Sequence, residues 1–208
     1  YSTAAAAGKR VQALTEAKNH ALLLEDAVLE RSIAGIINST YGCAGQRCMA
    51  LPVVVMQDSI ADEAIEMLAT MARALKLGPA YLPESQLGPV ITAKHREWVH
   101  SCIERGVAEG ADLVLDGRGA SVEGYEGGFY VGPTIFDNVR PGNFVGDSEI
   151  FGPVTSIKRV SSFEEGLAVM NANGYTLNPS PVFVATGITS ALIAPFGGHS
   201  VNLAAITA

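Results

Sequence analysis

Residues 41 to 57 read YGCAGQRCMALPVVVMQ, with two cysteines, two glycines and an arginine set immediately before an apolar run. A thiol in this setting has two readings. Free cysteine is among the most often buried residue types, so Cys48 as a small apolar filler is the first. The second is a nucleophile. Gly42 and Gly45 open backbone conformations that other residues avoid, and the neighbouring Arg47 guanidinium favours the thiolate, which is the reactive form. Cys43 has no comparable setting and reads as structural, while Cys102 lies on the apolar side of a helical pattern and reads as core. Three cysteines without paired CxxC spacing argue against a disulfide framework or structural zinc. His20, His95, His100 and His199 show no ligand spacing, so no metal site is expected, and His95 and His100 fit an exposed helix side.

A second candidate is Glu149 in DSEIFGPV (147–154). It reads either as a solvated loop carboxylate or as a group accepting two hydrogen bonds from a ribose diol, and the local pattern leaves both open. The glycine-rich GYEGGFYVG (124–132) reads as a turn rather than a phosphate cradle. No Walker-type loop, GxSxG or Ser-His-Asp order is present.

These residues need a scaffold, and short β runs alternating with helical periodicity supply one. KRVQAL (9–14), HALLL (20–24), LPVVVMQ (51–57), ADLVLD (111–116), FYVGPTIF (129–136), VTSIKRV (154–160) and SPVFVAT (180–186) read as strands. Val28, Leu29, Ile33, Ile36, Ile37 and Tyr41 share one helical face closed by Gly42. A second helix spans about 60–76, with Ser59 as cap, Gly78 as stop and Ile65, Leu68, Met71, Ala72 and Leu75 inward. A third spans about 92–110 and buries Trp98, Val99, Cys102, Ile103 and Val107. A fourth is capped by Ser162 with Glu165 as its capping-box partner. The alternation predicts an α/β domain with a largely parallel sheet flanked by helices. No linker or repeat appears, and the chain reads as one domain.

Composition narrows the functions. At 208 residues the chain can bury a sizeable core. Only 17% of its residues are charged, against about 25% in an average soluble domain. With a mean hydropathy of +0.25, this predicts surface meant for burial against another domain or subunit. The net charge of −7 is interspersed and forms no basic stripe, which excludes nucleic acid as the expected partner. The longest apolar run, Leu51 to Met56, falls short of the roughly 20 residues of a membrane span. YSTAAAAGKR does not read as a signal peptide. A reducing compartment is expected, either a bacterial cytoplasm or a mitochondrial matrix.

Several of these stretches occur in the order of a known family from about Gly8 to Thr186: GKRVQAL, AKNHALLLEDA, GQRCMA, LGPVITAKHREWV with GVAEGA, GFYVGPTIFDNV and SEIFGPV, with PFGG beyond. The chain resembles the aldehyde dehydrogenase superfamily. AKNHALLLEDA and GQRCMA are most similar to its CoA-acylating methylmalonate-semialdehyde dehydrogenase branch. The resemblance implies that residues 1–208 are the catalytic, cysteine-bearing domain in incomplete form. The relatives' N-terminal cofactor domain and C-terminal oligomerisation segment are not present, and residues 187–208 depart from the pattern.

The same resemblance implies roles. Cys48 is the nucleophile, its backbone N–H stabilises the oxyanion, Glu149 holds the nicotinamide ribose and Phe151 lies beside the nicotinamide. Arg47 pairs with the carboxylate of a 3-oxo acid. NAD is the cofactor, coenzyme A the co-substrate and a small aldehyde the substrate, in a homo-oligomer whose NAD-binding domain this chain lacks. Hydrolytic relatives place a glutamate where Leu14 stands, and Glu16 occupies a usual glycine position. The expected function is NAD-dependent oxidation of a (methyl)malonate-type semialdehyde through a Cys48 thioester released to CoA, with the isolated chain inactive. A hydrolytic enzyme using Glu16 or Glu149 as base, and a non-catalytic assembly module, are the alternatives.

Overall fold

Four consecutive residues with no solvent exposure, Val53 to Met56, mark the middle of the sheet. A strand buried on both faces cannot alternate, and these β-branched and long apolar side chains serve either face. The computed structural model describes residues 1–13 and 15–172. The strand expected at 180–186 and Leu14 lie outside the described residues. Residues 1–167 form one compact unit, and of a second, 168–207, only 168–172 are described.

The elements in chain order are α1 (Ser2–Ala6), β1 (His20–Leu23), α2 (Leu29–Tyr41), β2 (Val53–Gln57), α3 (Asp58–Arg73), α4 (Ala93–Ala108), β3 (Asp112–Leu115), β4 (Thr134–Asp137), α5 (Phe144–Asp147), β5 (Val154–Val160) and α6 (Phe163–Ala172). The sheet order is β1-β2-β5-β4-β3. All pairings are parallel except β3 with β4. The expected α/β architecture is therefore present, with one antiparallel edge. His20 aligns with Val53 and Val53 with Ser156. The segments leading into β1, β2 and β5 consequently meet along a single edge of the sheet.

Helix α2 buries Ile33, Ile36, Ile37 and Tyr41 as its periodicity requires. Fully buried Tyr41 anchors its end, with its hydroxyl donating to the Thr134 carbonyl at 3.3 Å and accepting from Thr155 at 2.7 Å. Burial drives that phenol well above its ordinary pKa. Helix α3 turns Ala61, Ala64, Ile65, Leu68, Ala69 and Ala72 inward, and small residues let it lie close to the sheet. The expected capping box at α6 forms in half, since the Glu165 carboxylate bonds the N–H of Ser161 instead of that of Ser162. The Glu165 N–H donates to the Ser162 hydroxyl at 3.2 Å, and the Glu165 carboxylate reaches back to the Ser161 N–H at 2.7 Å. GYEGGFYVG forms turns, with Tyr125 N–H bonded to Val122 and Gly128 N–H to Tyr125.

Five expectations are corrected. Residues 9–13 form no strand, and the short α1 was not anticipated. Val28 caps α2 from an exposed position instead of packing inward. Helix α3 starts one residue before Ser59, with Gln57 as cap, because Asp58 already supplies first-turn negative charge. It also ends at Arg73, well before Gly78. On α4, Val99, Cys102 and Ile103 are buried but Trp98 and Val107 are 45% and 44% exposed, since only the narrow stripe continued by Gly106 meets the sheet. Among the described residues no helix is long and apolar enough to cross a membrane.

Candidate active site

The loop bearing Cys48 begins where α2 ends. Gly42 stops the helix, and Cys43, Ala44 and Gly45 then follow with φ of 54°, 54° and 70°. Three successive left-handed residues turn the chain back sharply, and for Cys43 and Ala44 that conformation costs about 1–3 kcal/mol each. Close contacts hold it. A Cβ at Gly45 would collide with the Gly152 carbonyl, and one at Gly42 would lie 2.7 Å from the Arg47 guanidinium. Gly45 is therefore required by contact with backbone, which seats the loop on residue 152, while Gly42 leaves room for the end of the Arg47 side chain.

Side chains then fix the turn through Cys48. Arg47 Nη2 donates to the carbonyls of Asn38 and Ser39, at 2.8 and 2.7 Å, at the C-terminal end of α2, where a cation is favoured by the helix dipole. Its Nε is buried without a hydrogen-bond partner among the described residues. Gln46 accepts from the Ile91 N–H at 3.0 Å and donates to the Cys43 carbonyl at 3.3 Å. Asn19, at the entry to β1, spends both amide hydrogens on this loop, bonding the carbonyls of Cys48 and Ala50 at 2.8 Å each.

The third strand entrance, before β5, carries Glu149, Ile150 and Phe151. Phe151 is left-handed at φ 57° and 39% exposed. From α4, His95 Nε2 lies 2.7 Å from the Phe151 carbonyl and Trp98 Nε1 donates to the Ile150 carbonyl at 3.2 Å. This corrects the expectation of an exposed helix side for His95.

The three entrances together build one narrow pocket. Its lining includes Asn19, Gly45, Arg47, Cys48, Glu149, Phe151 and Gly152. A wider cavity of about 710 Å³ shares Arg47, Cys48 and Phe151 and extends to Gly35, Asn38 and Met49. Cys48, Arg47, Glu149 and Phe151, separated by up to 104 residues in sequence, thus face common space. Cys48 is exposed, as a nucleophile must be. Cys43 is also exposed but lies in the turn, and Cys102 is buried, with its thiol pushed up to about 11 by burial. Glu16 is exposed and outside the pocket lining.

Sequence reasoning missed Asn19, His95 and Trp98. An amide placed just before an apolar strand was the available signal for the first. Nothing local marked the other two, because their partners are backbone carbonyls some 50 residues away.

The arrangement suits a nicotinamide nucleotide. Nothing among the described residues hydrogen-bonds the Glu149 carboxylate, which leaves it available to a diol, and the bare Phe151 ring offers an apolar face beside a thiol. A sequence model described as the aldehyde dehydrogenase family matches residues 1–185. The chain belongs to the aldehyde dehydrogenase family.

Within that family, the malonate-semialdehyde dehydrogenase of Bacillus cytotoxicus is 44% identical over 187 residues, covering 90% of this chain and 38% of that protein. The solved methylmalonate-semialdehyde dehydrogenase of Oceanimonas doudoroffii superposes with a TM-score of 0.78 at 38% identity, over 83% of this chain and 36% of that one. An aldehyde dehydrogenase of Mycobacterium tuberculosis, solved in complex with NAD, superposes with a TM-score of 0.75 at 33% identity, over 81% and 34%. This aldehyde dehydrogenase chain therefore spans well under half the length of the relatives it matches.

Proposed function

We propose that this chain is the catalytic, cysteine-bearing domain of an NAD-dependent, CoA-acylating dehydrogenase of malonate- or methylmalonate-type semialdehydes. The supporting observation is the single pocket shared by Cys48, Arg47, Glu149 and Phe151. The similarity to semialdehyde dehydrogenases directs the choice of substrate.

In this reading the Cys48 thiolate adds to the aldehyde carbon and forms a C–S bond. The former carbonyl oxygen becomes an alkoxide beside the Cys48 backbone N–H, a donor fixed in advance by the clamped turn. Glu149 would accept from the nicotinamide ribose and Phe151 would lie against the ring, both from the pocket that Cys48 lines. NAD, when bound, supplies the acceptor for the hydride that this carbon loses. Arg47 borders the cavity, and the part of its guanidinium not engaged with the carbonyls of Asn38 and Ser39 would meet the substrate carboxylate in a charge-assisted bond. The acyl group left on Cys48 passes to the thiol of CoA, which needs less base assistance than water because its thiolate is appreciably populated near neutral pH.

Rapid mixing of the complete enzyme with aldehyde and NAD, without CoA, tests this proposal. It should give a burst of NADH close to one equivalent per site followed by a slow phase, with CoA restoring steady turnover and yielding acyl-CoA. Cys48→Ser should abolish both phases, whereas Cys43→Ser and Cys102→Ser should not. A fast steady rate without CoA, with free acid accumulating, would assign the hydrolytic reaction instead. Full activity of Cys48→Ser would remove the nucleophile.

A further inference from the structure

We propose that His95 and Trp98 are positioning residues for the cofactor side of the pocket. From one face of α4 their ring N–H groups hold two consecutive carbonyls, and thereby keep Phe151 in the left-handed conformation that presents it, with Glu149, to the pocket. The proposal rests on the reading that Glu149 and Phe151 meet the nicotinamide end of NAD.

The two side chains stand at i and i+3 on α4, so they project from the same side of the helix. His95 Nε2 lies 2.7 Å from the Phe151 oxygen. A carbonyl only accepts, so this nitrogen carries the hydrogen. Trp98 Nε1 donates to the Ile150 oxygen at 3.2 Å. Among the described residues no backbone N–H reaches either carbonyl. These two side chains therefore supply the hydrogen bonds that neither helix nor sheet provides there.

The neighbouring contacts leave little freedom. A Cβ at Gly152 would lie 2.7 Å from Val99 Cγ2, so α4 packs directly on the next residue of the segment. The His95 ring meets Phe151 edge-on at 6.4 Å. The Trp98 ring meets Phe144 edge-on at 6.0 Å, and Arg105 lies 4.2 Å from the Phe144 ring centre. The Thr92 hydroxyl accepts from the His95 N–H at 3.1 Å and fixes where the helix begins.

Returning Phe151 to an ordinary φ would rotate the peptide between residues 150 and 151 relative to the one that follows, so the Ile150 and Phe151 oxygens could not both stay on their donors. The left-handed conformation and the two ring N–H groups thus belong to one device. It also accounts for a tryptophan on the partly exposed side of α4, where packing alone does not call for one.

The test uses Trp98→Phe, which keeps an aromatic ring on this side of α4 but removes the indole N–H, together with His95→Leu and His95→Gln, the last retaining a donor. Losing one neutral hydrogen bond should weaken NAD affinity of the complete enzyme about three- to tenfold in Trp98→Phe and in His95→Leu. His95→Gln should stay close to the parent. Amide exchange at residues 151 and 152 of the 208-residue chain should accelerate by a similar factor in the two donor-less variants. Peptide-resolved alkylation of Cys48 without NAD should be unchanged. Glu149→Gln serves as the control for the cofactor assignment. If it weakens NAD binding while Trp98→Phe and His95→Leu do not, the positioning role is overturned and the cofactor reading stands. A lower melting temperature in those variants with unchanged NAD affinity would likewise overturn it, leaving only a structural contact. If Glu149→Gln itself leaves NAD affinity intact, the assignment of this segment to NAD falls and the inference falls with it.

Discussion

Arg47 carries two roles on one side chain. Its Nη2 bonds the carbonyls of Asn38 and Ser39 at the end of α2, its Nε is buried, and the residue borders the cavity containing Cys48. The sequence made the adjacency of Arg47 and Cys48 plain, but not the carbonyls of Asn38 and Ser39. If the proposed carboxylate pairing holds, a charge-assisted bond in a partly desolvated pocket is worth roughly 1.5–3 kcal/mol, or about one to two decades in kcat/KM. Arg47→Leu should lose that factor on a semialdehyde bearing a carboxylate while retaining more of its activity on propanal. Steady-state kinetics on the two substrates check this. Equal losses would assign the arginine to holding the loop and nothing more.

At the scale of elements, the entry to β1 is held by the Asn19 amide on one side and burial of His20 on the other. Asn19 faces the pocket, while Lys18 and His20 lie buried among Lys158, Asp147 and Cys102. Burial lowers the Lys18 amine to about 8, assisted by Lys158. His20 is brought down to about 4, chiefly by burial, with Lys158 and Lys18 adding and the Lys18 carbonyl and Asp147 opposing. The folded chain therefore takes up the His20 proton less readily than the unfolded chain. This stability is fully present above about pH 6.5, the unfolded value, and is lost as pH falls toward 4. At pH 5 the loss attributable to His20 is on the order of 2 kcal/mol. Urea midpoints at pH 5 and 7.5 should converge in His20→Gln relative to the parent. An undiminished gap would place the acid sensitivity elsewhere.

At the scale of the molecule, pocket and scaffold are unevenly provided. The chain holds Cys48, Arg47, Glu149 and Phe151, but its sequence contains no glycine-rich strand–helix turn to receive a pyrophosphate. It also spans 38% of a malonate-semialdehyde dehydrogenase that it matches. Exposed Val28, Met49, Tyr81 and Ile91 fit a low-charge surface made for burial. The isolated chain is accordingly expected to show no micromolar binding in a calorimetric titration with NAD. Micromolar affinity would relocate the cofactor site.

The sequence by itself determined the parallel α/β scaffold, because the continuous apolar run of β2 and the periodic inward faces of α2 and α3 are local patterns. Family order also singled out Cys48, Arg47, Glu149 and Phe151. Several boundaries were not legible. Residues 9–13 have an apolar pattern but no paired neighbour strand, and Trp98 falls on the apolar side of its helix although its packing stripe is narrower. Only the tertiary structure decided how the site is held. Asn19 reaches Cys48 because parallel pairing aligns the entrances of β1 and β2. His95 and Trp98 reach the carbonyls of residues 151 and 150 because α4 packs against Gly152. Side chain–to–carbonyl bonds across such distances leave no periodic trace in a sequence, since the acceptor is the backbone that every residue shares.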